Sequence, residues 1–272
     1  IRMDFNIVNP YTVIFVILND MIRIKLHIAT VLVLRFAFIL ICLLLLSTTV
    51  FAQRSDLGSW NILNLKINYT NKLSFFGEGQ LRSLRFYHHF HYYEYKGGIN
   101  YKIHKTTLLT FGVGSYQTYR EGGDFELPKN NAELRIWPQI ILFQTINNLR
   151  LEQRYRAECR FTSNGYRNRY RYRLGISTSF GKEENGHKPF QANLSNEIFF
   201  TDREPYFERN RIQMTLGYNP SKNATIQLGY LHQFDYKIND ETGRDFLVIG
   251  YSYELFRKNL EKQLTENEIN NN

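Results

Sequence analysis

At 272 residues the chain has room for one large domain or two ordinary ones, and 34 basic against 25 acidic side chains give it a net charge of +9. A pI of about 9.4 invites a nucleic-acid reading, but the basic residues alternate with apolar ones inside long runs instead of clustering on a patch or helix, which excludes it. Aromatic residues reach 15%, a content that few soluble domains combine with so much arginine.

The first residue is Ile, and residues 1–20 read as an upstream extension ahead of Met21. Arg23, Lys25 and Arg35 then precede the apolar run FAFILICLLLL, and STTVFA ends in small residues at Val50 and Ala52. That is the pattern of a secretory signal peptide over 21–52, cut after Ala52. A membrane anchor over 28–46 is the competing reading, and Arg35 interrupts it. Cys42 does not follow Gly, Ala or Ser, which argues against a lipoprotein signal. Cleavage leaves Cys159 as a lone cysteine, so no internal disulfide is expected. It also leaves 30 basic and 23 acidic residues, a charge of +7. No later run approaches the length of an apolar transmembrane helix.

After a polar lead at 53–58, one alternating run follows another. Residues 62–69 put Leu63, Leu65, Ile67 and Tyr69 on one face and Asn64, Lys66 and Asn68 on the other. Residues 72–82 set Leu73, Phe75 and Leu81 against Glu78, Gln80 and Arg82. An aromatic connection, RFYHHFHY, leads to 93–103, where Tyr93, Tyr95, Ile99, Tyr101 and Ile103 oppose Glu94, Lys96, Asn100 and Lys102. Residues 107–119 carry Leu109, Phe111 and Val113 outward with Gly112 and Gly114 opposite, and end in the polar loop EGGDFELPKNN. Residues 133–145 set Leu134, Ile136, Ile140 and Leu142 against Glu133, Arg135, Trp137 and Gln139.

The densest alternation lies at 149–180. Arg150, Glu152, Arg154, Arg156, Glu158 and Arg160 share one face, and after TSNG the ladder resumes with Arg167, Arg169, Arg171 and Arg173. Tyr155, Phe161, Tyr166, Tyr170, Tyr172 and Leu174 lie on the other face. A period of two with opposite chemistry on its two sides belongs to a β-strand, since a helix would mix charges and rings over its circumference. GKEENGHKP connects to 190–200, where Ala192, Leu194 and Ile198 oppose Asn193, Ser195 and Glu197. Residues 209–218 set Ile212, Met214, Leu216 and Tyr218 against Arg209, Arg211 and Gln213. Residues 224–234 carry Ile226, Leu228 and Tyr230, and 246–255 carry Leu247, Ile249, Tyr251, Tyr253 and Leu255. A polar tail occupies 256–272.

These runs are longer than sandwich strands, and their polar faces hold Arg, Glu and Gln instead of Lys, Ser and Thr. With a signal peptide in front, this predicts an all-β fold, a transmembrane antiparallel up-and-down β-barrel over 53–255, apolar outside and charged inside. Unpaired backbone groups are not tolerated in lipid, which forces closure. Eleven runs are counted. An even number with both termini in the periplasm predicts twelve strands, with ten the next choice. Turns at 70–71, 104–105, 147–148 and 219–223 read as periplasmic, and those near 86–91, 120–131, 201–207 and 235–244 as extracellular.

The segments SFFGEGQLRS, GGINYKI, NAELRIWPQI, LRLEQRYRAECRF, RNRYRYRLGI, LSNEIFF and ERNRIQMTLGY resemble DUF2490, a family of domains of unknown function. The resemblance covers roughly 58–255. It implies an outer-membrane β-barrel of the kind found largely in Bacteroidota, and it implies no activity. The polar tail after Leu255 departs from barrels that end on an aromatic residue read by the assembly machinery.

Pairing Phe161 with Tyr166 about the TSNG turn sets Glu158 against Arg169, Arg156 against Arg171 and Arg154 against Arg173. Like charges directly opposite are unfavourable, and Glu133, Glu152 and Glu197 on flanking runs are placed to relieve them. One reading is a salt-bridge network filling a small lumen, built from these residues with Arg135, Arg150, Arg160, Arg167, Arg209 and Arg211. The other is an anion-attracting constriction. No His lies two residues from a Ser as in outer-membrane lipid hydrolases, and His232 with Asp235 lacks the further Asp pair of an omptin-like protease. His88, His89 and His91 read as part of an aromatic belt and not as metal ligands. Cys159 falls on the lipid face by parity.

The sequence therefore predicts an outer-membrane barrel, structural or a narrow channel, that is not an enzyme and needs no cofactor or metal. Its expected partners are the outer-membrane bilayer and the barrel-assembly machinery. A pore for small anionic solutes and a lipid-modifying enzyme are the alternatives.

Overall fold

In a computed structural model of the protein, residues 57–183, 186–236 and 242–257 are described. The leader, and all of the tail beyond Arg257, lie outside them. Eleven strands follow one another: β1 (Gly58–Asn68), β2 (Leu73–Arg85), β3 (His88–His104), β4 (Thr107–Arg120), β5 (Glu126–Ile146), β6 (Leu149–Thr162), β7 (Gly165–Phe180), β8 (Phe190–Thr201), β9 (Phe207–Ser221), β10 (Ala224–Asp235) and β11 (Thr242–Phe256). Each alternating run of the sequence corresponds to one of them. Each strand pairs antiparallel with its neighbour in sequence, and the sheet closes into a barrel.

The closing pair corrects the strand count. β1 and β11 run parallel, from Gly58 opposite Phe246 to Asn68 opposite Phe256. An up-and-down sheet of eleven strands brings its first and last strands together in the same direction, so a parallel seam replaces the twelfth strand. Gly58 and Phe256 consequently stand at opposite ends of the barrel, where an even count would put them at one end.

Two connections are shorter than the sequence pattern suggests. The aromatic stretch after Arg85 turns in two residues, and β3 already begins at His88. β5 begins at Glu126, so half of the polar loop after β4 is strand. The turns read as periplasmic do share one end of the barrel, and those read as extracellular share the other, which we call the cup end.

The wall is inverted relative to a water-soluble domain. Leu63, Tyr95, Phe111, Met214 and Leu216 each leave about three-fifths of their surface exposed on the outside. Trp137 and Val248 are fully buried inside, and Glu158 is 1% exposed. Rings gather at both ends of the outer face. Phe180, Phe190 and Tyr218 make a chain of ring contacts at one end. Phe200, Phe207, Phe234 and Tyr236 make another at the cup end. The indole of Trp137 fills the space that a side chain at Gly112 would need, and glycine at that position of β4 is what admits a tryptophan to the lumen.

The charged lumen as candidate functional site

The β6–β7 hairpin has the register set by its TSNG turn: Glu158 opposite Arg169, Arg156 opposite Arg171, and Arg154 opposite Arg173. Opposed arginines repel, so carboxylates must stand between them. Glu158 lies at the centre. Arg171 Nη1 is 2.6 Å from it, Arg156 3.6 Å, Arg169 3.8 Å and Arg135 3.9 Å. Arg171 also donates to both oxygens of Glu197 at 3.0 and 2.9 Å, and Arg154 reaches Glu197 at 2.6 Å. Arg156 donates to the side-chain oxygen of Gln139 at 2.7 Å through Nε. Arg173 pairs with Glu152.

Toward the cup end, Glu133 is held by two arginines. Arg135 clasps it at 2.8 and 2.9 Å, and Arg160 donates to both of its oxygens. Arg169 donates to Glu208 at 2.7 Å. Arg209 pairs with Asp235, and Arg211 donates to the Gln233 side chain at 2.8 Å. A second cluster on β2 and β3 joins Arg82 and Lys96 to Glu94, and Lys96 to Glu78.

Rings fix the planes of these guanidinium groups. Arg82 lies 3.4 Å above the Trp60 ring and 4.0 Å from that of Tyr92. Arg135 stacks on Tyr116 at 3.7 Å, and Arg171 and Arg211 on Phe199 at 4.6 and 4.7 Å. Cation–π contact of this kind gains strength where water is excluded.

Not every expected residue joins the network. Arg150 is exposed at the end away from the cup, over Phe143. Arg167 is half-buried and forms no ion pair with a described residue. His232 and Asp235 point to opposite faces: His232 Nδ1 meets Asp245 at 2.7 Å on the outside, while Asp235 meets Arg209 inside. Among the described residues no three His, Cys, Asp or Glu side chains are placed to hold a metal.

Two inward-facing residues escape the sequence pattern because they sit at β-bulges. Between β8 and β9 the register passes from Phe199–Arg209 to Phe200–Phe207, skipping Glu208 and turning it inward. Between β2 and β3 it passes from Arg82–Tyr92 to Ser83–Phe90, which skips His91 and buries it.

Two cavities lie in the lumen, one toward each end. The cup has a volume of about 770 Å³ and reaches down to Arg171, Phe199, Arg211 and Trp60. A smaller cavity of about 200 Å³ near the opposite end is lined by Glu152 and Arg173 with Ser177, Asn193 and Gln227. No residue lines both. At the rim of the cup the loop after β8 is tied down by Asp202, which accepts from the Asn168 backbone N–H at 3.1 Å and its side-chain amide at 2.8 Å. Loss of hydration raises the Asp202 pKa, but these donors outweigh it and hold the carboxyl below its ordinary range.

A family described as "Protein of unknown function (DUF2490)" has a model that matches residues 57–244, from just before β1 into the start of β11. No curated protein matches the chain.

Proposed function

We propose that this chain, a member of the DUF2490 family, is an outer-membrane β-barrel whose lumen is closed at mid-height by its own arginine–glutamate network. It is a structural envelope protein in this reading, and neither an open pore nor an enzyme. The observation that carries the location is the inversion of the wall, with exposed Leu, Met, Phe and Tyr outside and buried Glu158, Arg160 and Arg169 inside. Soluble monomers rarely leave so large an apolar surface uncovered. Rings near both ends of the outer face suit the two membrane–water interfaces.

Closure is supported by the two cavities that share no lining residue. An anion pore would need a continuous water path past Glu158, Arg156 and Trp137, all of them buried or half-buried, with Arg156 against the other two. The test is fractionation of cell envelopes followed by planar-bilayer recording. Sedimentation with the outer membrane, resistance to carbonate extraction and no resolved conductance steps are the expected results. Release by carbonate would overturn the location, and stepwise anion current would overturn the closure.

A further inference from the structure

We infer that the cup is a binding site for a small organic anion, one bearing carboxylate or phosphate groups. The inference rests on the closed-lumen reading, since an open lumen would make the cup a pore mouth.

Among the described residues, eleven lysines and arginines line this cavity against six carboxylates. Glu78, Glu158 and Glu197 reach Lys96 and Arg171 from outside the lining, which reduces the excess of five positive charges to two. Three of the lining arginines, Arg167, Arg203 and Arg211, have no ion pair with a described residue; Arg203 is exposed, while Arg167 and Arg211 are half-buried. Among the described residues, Arg211 has the amide oxygen of Gln233 and the faces of Trp60 and Phe199 as its partners. A buried or half-buried guanidinium without a counter-ion costs desolvation free energy that an anion recovers on binding.

Further donors are in want of acceptors. Arg82 Nε and the Tyr116 hydroxyl are buried without a hydrogen-bond partner, on side chains that are each more than nine-tenths buried and that line the cup, and Arg160 Nη1 has the Glu208 carboxylate at 3.5 Å; His91 Nδ1 and the side-chain oxygen of Asn131 in the same lining are also unpartnered. The two arginine nitrogens can only donate and the Tyr116 hydroxyl can donate, so donors outnumber the Asn131 oxygen, which favours an oxygen-rich ligand over a cation or a neutral apolar one. The donors are also pre-organised. Arg82 is held between Trp60 and Tyr92, and Arg211 lies over Trp60 and Phe199, so little side-chain freedom is lost when an anion arrives. The volume of about 770 Å³ accommodates a molecule of sugar-phosphate or tricarboxylate size.

The test is calorimetric titration of the full-length barrel in a zwitterionic detergent at low salt, with citrate, glucose 6-phosphate and neutral glucose as probes. Saturable binding of citrate or glucose 6-phosphate, with none of glucose, is expected, and the better of the two identifies carboxylate or phosphate as the recognised group. Arg211→Gln and, at the rim, Arg167→Gln are each expected to weaken binding by about tenfold or more. Arg167 is half-buried at the start of β7, so its variant reports even where Arg211→Gln does not fold. Arg150→Gln, at the other end, is expected to bind like the unaltered protein. No saturable heat with either anion, or equal losses in the Arg167 and Arg150 variants, would overturn the site. Bilayer recording on the same preparation separates the two readings. A barrel that binds and conducts refutes only closure, and one that neither binds nor conducts refutes only the site.

Discussion

Arg156 and Arg171 face each other across the β6–β7 ladder and converge on one oxygen of Glu158, at 3.6 and 2.6 Å. Arg135 and Arg169 approach the other oxygen of the same carboxylate. Four guanidinium groups therefore share one charge that is fully buried, and for Arg156 it is the only ion pair among the described residues. Glu158→Gln keeps the shape and removes that charge, and the cost of breaking a buried pair in this way is about 3–5 kcal/mol. The variant is expected to unfold at markedly lower urea concentration, read from heat-modifiable migration on gels. Adding Arg171→Met to Glu158→Gln should recover part of the loss. An unchanged midpoint in Glu158→Gln would mean that the network does not hold the barrel together.

Glycines on the two faces of the wall should respond in opposite ways. A methyl group at Gly112 would collide with the indole of Trp137, which is fully buried. Gly112→Ala is expected to cost about 1–3 kcal/mol and to shift Trp137 emission in a Trp60→Phe background. Gly77 and Gly79 face open space, so alanine there should be neutral or gain roughly 0.5–1 kcal/mol through reduced backbone entropy in the unfolded chain. Thermal unfolding of the three variants gives the comparison, and equal losses would contradict the placement of Trp137 inside.

The rim loop carries a pH dependence whose sign follows from Asp202. Its carboxyl is held below the ordinary carboxylate range by Asn168, so the folded state prefers the ionised form. Stabilisation is then fully present above the unfolded-state pKa and is lost as pH falls through the lower folded value. Amide exchange at Asn168, corrected for its intrinsic pH dependence, should lose protection only in strongly acidic solution. In Asp202→Ala protection should be lost at every pH. Retention of protection in that variant would show that the anchor does not hold the loop.

How much of this was legible in the chain depends on how local the cause is. Each strand betrays itself by two-residue alternation, because the wall separates an apolar outside from a polar inside. The TSNG turn sets the register of β6 on β7, so the opposition of Arg156 to Arg171 could be read directly. The partner that Arg160 and Arg169 share, Glu208, could not. Glu208 turns inward only because a bulge skips it, and a bulge leaves no mark on the alternation. Arg209 finds Asp235 on the next strand, and that pairing needs the β9–β10 register. The stacking of Arg82 on Trp60 is likewise a cross-strand fact, with the two residues directly opposed on β1 and β2. The odd strand number is not legible because the closing pair joins residues 188 apart in sequence, as with Gly58 and Phe246, and nothing local specifies its direction.

That seam is the part of the barrel most open to direct test. In a parallel pair the ladder bonds slant and are slightly weaker than in an antiparallel one, so β1 and β11 need their full length of pairing to stay closed. Leu63 and Tyr251 stand opposite each other in that register, both facing outward. Adjacent strands lie about 4.8 Å apart, within disulfide reach. In a background with Cys159→Ser, Leu63→Cys with Tyr251→Cys should therefore oxidise to a circularised chain that migrates faster on a non-reducing denaturing gel. Leu63→Cys with Leu255→Cys places the second thiol on the same face but four residues farther along, and should stay reduced. A twelfth strand between β1 and β11 would separate Leu63 from Tyr251 by two strand spacings, so failure of the first pair to cross-link, with both thiols reactive to a small maleimide, would overturn the eleven-strand closure.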